Sequence, residues 1–271
     1  MHKHLKRIAV ISTSVISAIF TIIPESFFES IELLGMASEE INIISNRIVF
    51  ALLVIVIISI LYALTAKMRK GILIKGANYS IKISYGNILR TKNAKIVVPF
   101  DECYTTSVGE RPEQIKASSI CGQYLNQNIN SRFEMQQLID NSMVKPSKRK
   151  SSYNNQVCYT PGTIVPDGRY LLLAFAKLNR HGLCHMSYKE YTDCLNILWE
   201  EINKHYGQKN VCIPILGSGI TRFDDTTLTQ QELLDIIICS YKLSPYKLKS
   251  PAKLHIVCKR QDGFSLNDID A

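Results

Sequence analysis

Residues 211–223 read VCIPILGSGITRF. From Val211 to Leu216 the chain is apolar on consecutive positions. A strand facing water on one side alternates, whereas one buried on both faces reads as an unbroken run, the mark of an inner strand in an α/β sheet. The run breaks at Gly217-Ser218-Gly219, and Arg222 follows. Glycines let backbone N–H groups approach a phosphate without Cβ obstruction, and an arginine adds a charged fork. The same residues also make a tight turn after a strand, with Arg222 in solvent. No GK[ST] follows, so this is not a Walker A loop, and Leu216 occupies the first glycine position of a G-x-S-x-G elbow.

Working outward, similar short apolar runs occur at 72–74, 81–84, 95–99, 170–176 and 254–258. Helical patterns fall between them. Ser187 to Tyr206 opens with a capping box, Ser187 with Glu190, and sets Tyr191, Leu195, Leu198 and Ile202 on one face. Thr229 to Tyr241 opens with a second, and residues 118–130 and 132–143 read as two further helices. The sum predicts a three-layer α/β domain, helices covering both faces of a mainly parallel or mixed sheet. Two breaker zones frame it. Residues 67–78, basic and holding Gly71 and Gly76, read as a linker, and 145–155 (KPSKRKSSYNN) as a solvated loop, with lipid or nucleic-acid contact as the other reading.

The N-terminus is of another kind. Residues 8–24 form an uncharged run of 17, and 48–66, IVFALLVIVIISILYALTA, one of 19. A helical span needs about 20 apolar residues, so residues 1–66 are expected to be a transmembrane hairpin with helices at about 8–24 and 48–66. A cleaved signal peptide is the rival reading of the first run, MHKHLKR serving as its basic start. No small-x-small site stands where cleavage would fall. Lys3, Lys6 and Arg7 precede the first run and Lys67, Arg69 and Lys70 follow the second, while 25–47 carries five Glu and one Arg. The basic ends predict a multi-pass inner-membrane protein with its N-terminus and C-terminal domain (79–271) in the cytoplasm.

The whole chain has 271 residues, 46% hydrophobic and 20% charged, with a net charge of +9. That excludes a disordered chain, a collagen-like fibre and a small disulfide scaffold. The tail contributes +3 and the acidic stretch −4, so residues 67–271 carry +10. Such a surface suits anionic headgroups or an anionic ligand. The eight cysteines include no CxxC. His181, Cys184 and His185 lack a fourth ligand at zinc spacing, so no metal is expected.

In open α/β sheets ligands bind beyond the carboxyl ends of the strands. Besides PILGSGITRF, two loops follow strands there. YGNIL (85–89) offers Asn87, which fits an adenine edge or a turn. PFDECY (99–104) holds Asp101 and Glu102, which point opposite ways in an extended chain, and ASSICGQYL (117–125) follows. Ser119 and Gly122 lie where a helix begins, suiting an anion or a cap.

In this order, the strand–GNI, strand–PFDE–SSICGQ–helix and strand–PILGSGI–helix segments resemble the macro domain, over roughly 78–260. The family binds ADP-ribose and its relatives. Asn87 stands where an acidic residue usually holds the adenine amino group. SSICGQYL replaces the glycine-rich first phosphate loop, and PFDE replaces the Asn-rich catalytic stretch of hydrolytic members. These departures imply binding without turnover. With two membrane helices ahead of it, the arrangement resembles the membrane effectors of Thoeris anti-phage defence. That resemblance implies a TIR-domain partner that makes an ADP-ribose-derived signal, histidine-ADP-ribose in this layout. The signal binds the macro-like domain, and the effectors oligomerise and disrupt the membrane. By the same resemblance Asn87 and Ile88 read the adenine. Gly217, Ser218, Gly219, Ile220 and Arg222 hold the diphosphate, with N–H groups from Ser119 and Gly122. Asp101 or Glu102 meets the ribose or the signal's amine. No cofactor and no nucleic acid is implied. The alternative reading is a membrane-tethered ADP-ribosyl hydrolase using Asp101 or Glu102; a nucleic-acid-binding membrane scaffold is a third.

Overall fold

The computed structural model describes residues 2–30, 39–129, 131–219, 221–224 and 227–269. The chain divides into two compact units, Met1–Arg69 and Lys70–Ala271.

The first unit holds α1 (His2–Ile22), α2 (Glu25–Glu29) and α3 (Glu39–Met68). Windows at Leu5–Ile22, 18 residues, and Glu40–Met68, 29 residues, are long and apolar enough to cross a membrane. Almost none of either window is buried. Leu52, Leu53, Val56, Ile57, Ile60, Leu61 and Leu64 are all exposed. An all-round apolar helix with no protein cover differs from a core helix and suits lipid. α3 starts well before residue 48, since Ile41, Ile44 and Ile48 continue the helical spacing behind Glu39 and Glu40. Pro24 opens α2. Phe28 is buried against Phe20 and Phe50, with ring centroids 5.6 and 5.8 Å away. Asn46 Nδ2 donates to the Phe28 carbonyl at 2.8 Å. Part of the expected acidic loop, with Glu32, lies outside the described residues.

The second unit contains β1 (Gly71–Lys75), β2 (Ser80–Tyr85), β3 (Ala94–Asp101), β4 (Ile164–Asp167), β5 (Tyr170–Leu178), β6 (Cys184–Met186), β7 (Asn210–Pro214), β8 (Arg222–Phe223) and β9 (Leu254–Cys258). Its longer helices are α4 (Ile120–Asn128), α5 (Arg132–Asn141), α6 (Tyr188–His205) and α7 (Gln230–Leu243). The strands run in the order β1-β2-β9-β7-β3-β5-β6-β8, with β4 also on β5. The five inner strands, β2 through β5 in that order, are mutually parallel, and β1, β4 and β6 join antiparallel.

Alternation along these strands fills two layers. Val97, Leu171, Leu173, Val211, Ile213 and Ile256 pack on the α6–α7 side with Leu195, Trp199 and Ile237. Ile96, Val98, Phe100, Leu172, Cys212 and Val257 pack on the other side with Tyr124, Leu125 and Met135 of α4 and α5. Where both faces are covered, as along β5 and β7, the strand sequences carry no polar alternation, whereas burial does alternate along β1 and β2 at the edge. Both capping boxes form, Ser187 with Glu190 and Thr229 with Glu232.

Two expectations are corrected. The linker at 67–78 contains β1, whose Ile72 and Ile74 are buried at the sheet edge. Alternating apolar residues outweigh the flanking glycines there. The 145–155 stretch is no free loop. Glu102 is fully buried, pairs with Arg149, and accepts from Ser151 Oγ at 2.8 Å.

Candidate functional site

The connection from β3 leads toward β5, whereas that from β7 leads back toward β9. The chain therefore reverses direction between β3 and β7, and right-handed crossovers put the two sets of helices on opposite faces. A crevice opens beyond the carboxyl ends at such a point. The loop leaving β7 lies there.

Ile215 and Leu216 are still buried, and the Tyr191 hydroxyl of α6 donates to the Leu216 carbonyl at 3.0 Å. Gly217 then turns the chain with φ +83°, a conformation costly for any residue with a Cβ. A Cβ there would also lie 3.2 Å from the Phe223 ring. Ser218 Oγ donates back to the Ile215 carbonyl at 2.7 Å. Gly219 faces open space. The chain then pairs as β8 with β6, which ties down the far end of the loop.

This loop forms one wall of a cleft of about 420 Å³. Gly217, Ser218, Gly219 and Arg222 all line it, as expected. Arg222 is exposed and has no carboxylate partner among the described residues. Ile220 lies outside the described residues. Sequence reasoning missed the other walls, with Phe223, Leu228 and Leu233 as apolar surface and Gln230 and Gln261 as carboxamides. Gln230 directly follows the Thr229 cap, a local signal for its place at a helix start; nothing local marks Gln261 or Phe223.

The remaining expected residues stand elsewhere. Asn87 is exposed, and its Oδ1 accepts from Leu89 N–H at 3.0 Å, capping a short turn. Ile88 is buried in the layer with α4 and α5. Gly86 N–H donates to the Cys258 carbonyl at 3.1 Å, so this loop is fastened to the end of β9. Asp101 accepts from Cys103 N–H at 2.8 Å and from the Thr105 hydroxyl. Burial raises its pKa, and these bonds to the carboxylate oppose the rise. Glu102 is enclosed with Arg149, Ser151 and Leu178 N–H. Ser119 caps α4 by accepting from Gly122 N–H at 2.9 Å. A Cβ on Gly122 would meet the Lys116 carbonyl at 2.3 Å. That close approach explains the glycine without a ligand.

Fold and cleft together define a mixed α/β domain with a glycine turn and an exposed arginine beyond the strand ends, a layout compatible with a phosphate-bearing ligand. The model for the Thoeris protein ThsA, macro domain, matches residues 81–259, and the chain belongs to that family. It is 29% identical over 194 residues to the Thoeris protein ThsA of Bacillus amyloliquefaciens (strain Y2), covering 69% of this chain and 65% of that protein. The chain thus spans just under two thirds of this relative. Among solved structures, an Oceanobacillus iheyensis macrodomain mutant with ADPR matches at TM-score 0.46 and 9% identity, over 70% of this chain and 91% of that one. The macrodomain of Thermus aquaticus DarG matches at 0.40 and 11% identity, over 67% and 98%.

Proposed function

We propose that this chain is a membrane effector of bacterial anti-phage defence whose macro domain binds an ADP-ribose-derived signal. In this reading a TIR-domain protein makes the signal, histidine-ADP-ribose. Binding favours an assembled state, and the assembled apolar helices disrupt the inner membrane from a cytoplasmic-facing domain. The observation that carries the reading is the cleft at Gly217–Arg222 in a domain of the ThsA macro family, on a chain that also has two uncovered apolar helices. The ligand must bind the assembled state more tightly than the resting one, or it shifts nothing.

The role is sensing without turnover. Asp101 and Glu102, the carboxylates of the hydrolase alternative, spend their oxygens on Thr105, Cys103, Arg149 and Ser151. A general base needs a free lone pair within reach of its proton.

The test is calorimetry on the full chain in lipid nanodiscs, titrated with ADP-ribose, NAD and histidine-ADP-ribose, followed by product analysis. Binding of the conjugate with no product is expected. Turnover would restore the hydrolase; no binding of any of the three would sink the sensor.

A further inference from the structure

Three strands at the far edge of the sheet set three basic side chains in one row. Lys177 of β5 is the register partner of His185 in β6, and His185 is the register partner of Arg222 in β8. Register partners project to the same side of a sheet, and neighbouring strands lie about 4.8 Å apart. Arg222 ends the row at the cleft, which it lines. Among the described residues, the carboxylates that pair with the row are Glu190 of α6, on Lys177, and Asp224, whose Oδ2 is 2.9 Å from His185 Nδ1. Arg222 has no carboxylate partner among the described residues.

The contact with Asp224 settles how the imidazole is held. The carboxylate accepts a hydrogen bond from Nδ1–H, which orients the ring and leaves Nε2 without a partner among the described residues. The side chain keeps 29% of its exposure. A free ring nitrogen, aimed by a carboxylate and one strand away from the arginine of the cleft, has the arrangement of a ligand-binding group.

We propose that His185 is a second anion-binding residue of the cleft, which in its protonated form donates Nε2–H to a phosphate oxygen held beside Arg222, with Asp224 as the positioning residue. The inference rests on the reading of the cleft as a site for an ADP-ribose-type ligand and adds to it a residue and a pH dependence. The spacing of the row suits two neighbouring anionic groups such as a diphosphate. A diphosphate diester keeps its two charges from pH 5.5 to 8, so any slope in affinity across that range comes from the protein. The groups around His185 do not supply it. Against the opposing effect of burial, the bond from Lys177 holds the Glu190 carboxyl below its usual range, and burial pushes the Cys184 thiol up to about 12. His255, the half-buried histidine of β9, is pushed down to about 4 and stays neutral.

The experiment is calorimetry of ADP-ribose on the full chain in nanodiscs of neutral lipid at pH 5.5 and pH 8, with the variants His185→Gln, His185→Lys, Asp224→Asn and His181→Gln. Wild type should bind about tenfold more tightly at pH 5.5, the worth of one hydrogen bond to a charged group. His185→Gln should bind at both pH values as wild type does at pH 8. His185→Lys should flatten the profile near the acid affinity, Asp224→Asn should reduce the slope, and His181→Gln should keep it. ADP-ribose binding with no pH slope, or a slope that survives His185→Gln, overturns this inference and leaves the sensor reading standing. No binding at either pH overturns both.

Discussion

Ser151 Oγ donates to Glu102 Oε1 at 2.8 Å, joining the basic 145–155 segment to the end of β3 across 49 residues of chain. Arg149 pairs with the other carboxylate oxygen, and Leu178 N–H adds a third donor at 3.3 Å. Removing one partner of a buried ion pair strands the other. Only the Glu102 end of this pair is buried, Arg149 being itself exposed, and Glu102 keeps two other donors, so Arg149→Ala should cost about 1–2 kcal/mol. Lys148→Ala, on an exposed neighbour, should stay within about 0.5 kcal/mol. Denaturant unfolding of the two variants checks this, and equal small losses would show that the segment is not pinned.

The glycines divide by what a methyl group would meet. Gly122→Ala drives a Cβ to 2.3 Å from the Lys116 carbonyl, and backbone there has little room to yield. Gly217→Ala must hold φ +83°. Each should cost about 1–3 kcal/mol, whereas Gly219→Ala, facing open space, should leave the melting temperature near wild type. If Gly219→Ala nevertheless weakens ADP-ribose binding while the melting temperature holds, the methyl group obstructs the ligand and not the fold.

Arg222 is exposed and makes no ion pair among the described residues, so Arg222→Ala should barely alter stability. Loss of one charge-assisted bond to a phosphate should weaken ADP-ribose binding about tenfold or more. Unchanged affinity in calorimetry would move the diphosphate away from this loop.

His255 lies between Ser84 Oγ, 2.7 Å from its Nε2, and Cys212 Sγ, 3.7 Å from its Nδ1. Burial, helped by Lys82, lowers its pKa to about 4. The unfolded chain then binds more protons below about pH 6.5, so this stabilisation is full above that value and is lost as pH falls toward 4. Melting temperatures should drop between pH 7 and pH 5, and His255→Gln should make that drop shallower. An equally steep decline in the variant would assign the effect to other groups.

Thiol reactivity follows thiolate character and access. Burial pushes Cys103, Cys184 and Cys258 up to about 12, and Cys239 on α7 is the exposed cysteine. Brief treatment of the native protein with N-ethylmaleimide at pH 7, followed by peptide mass spectrometry, should find the label on Cys239 first. Equal labelling of Cys103 would mean that its layer opens readily.

Much of the architecture was legible in the chain because it is set by local rules. The two capping boxes announced α6 and α7, and the unbroken apolar runs announced strands covered on both faces. β4, β6 and β8 escaped notice. They are two to four residues long, too short for a periodicity to show; β4 and β6 are hairpin neighbours of β5, and only β8 finds its partner, β6, far along the chain. The 145–155 segment has the polar composition of a solvated loop, and the buried acceptor that organises it, Glu102, lies far away in sequence.

The sequence by itself determined that the chain joins an apolar helical hairpin to a basic α/β domain, and that a glycine turn with an arginine follows an inner strand. Burial periodicity and φ requirements act over a few residues, so they can be read from neighbours alone. Only the tertiary structure decided which loops share a cleft. The sheet order inserts β9 and β7 between β2 and β3, separating Asn87 from Asp101 and bringing Gln261 to the glycine turn. Strand order is settled by long-range pairing and by which helices cover each face, and no single stretch of sequence carries that information.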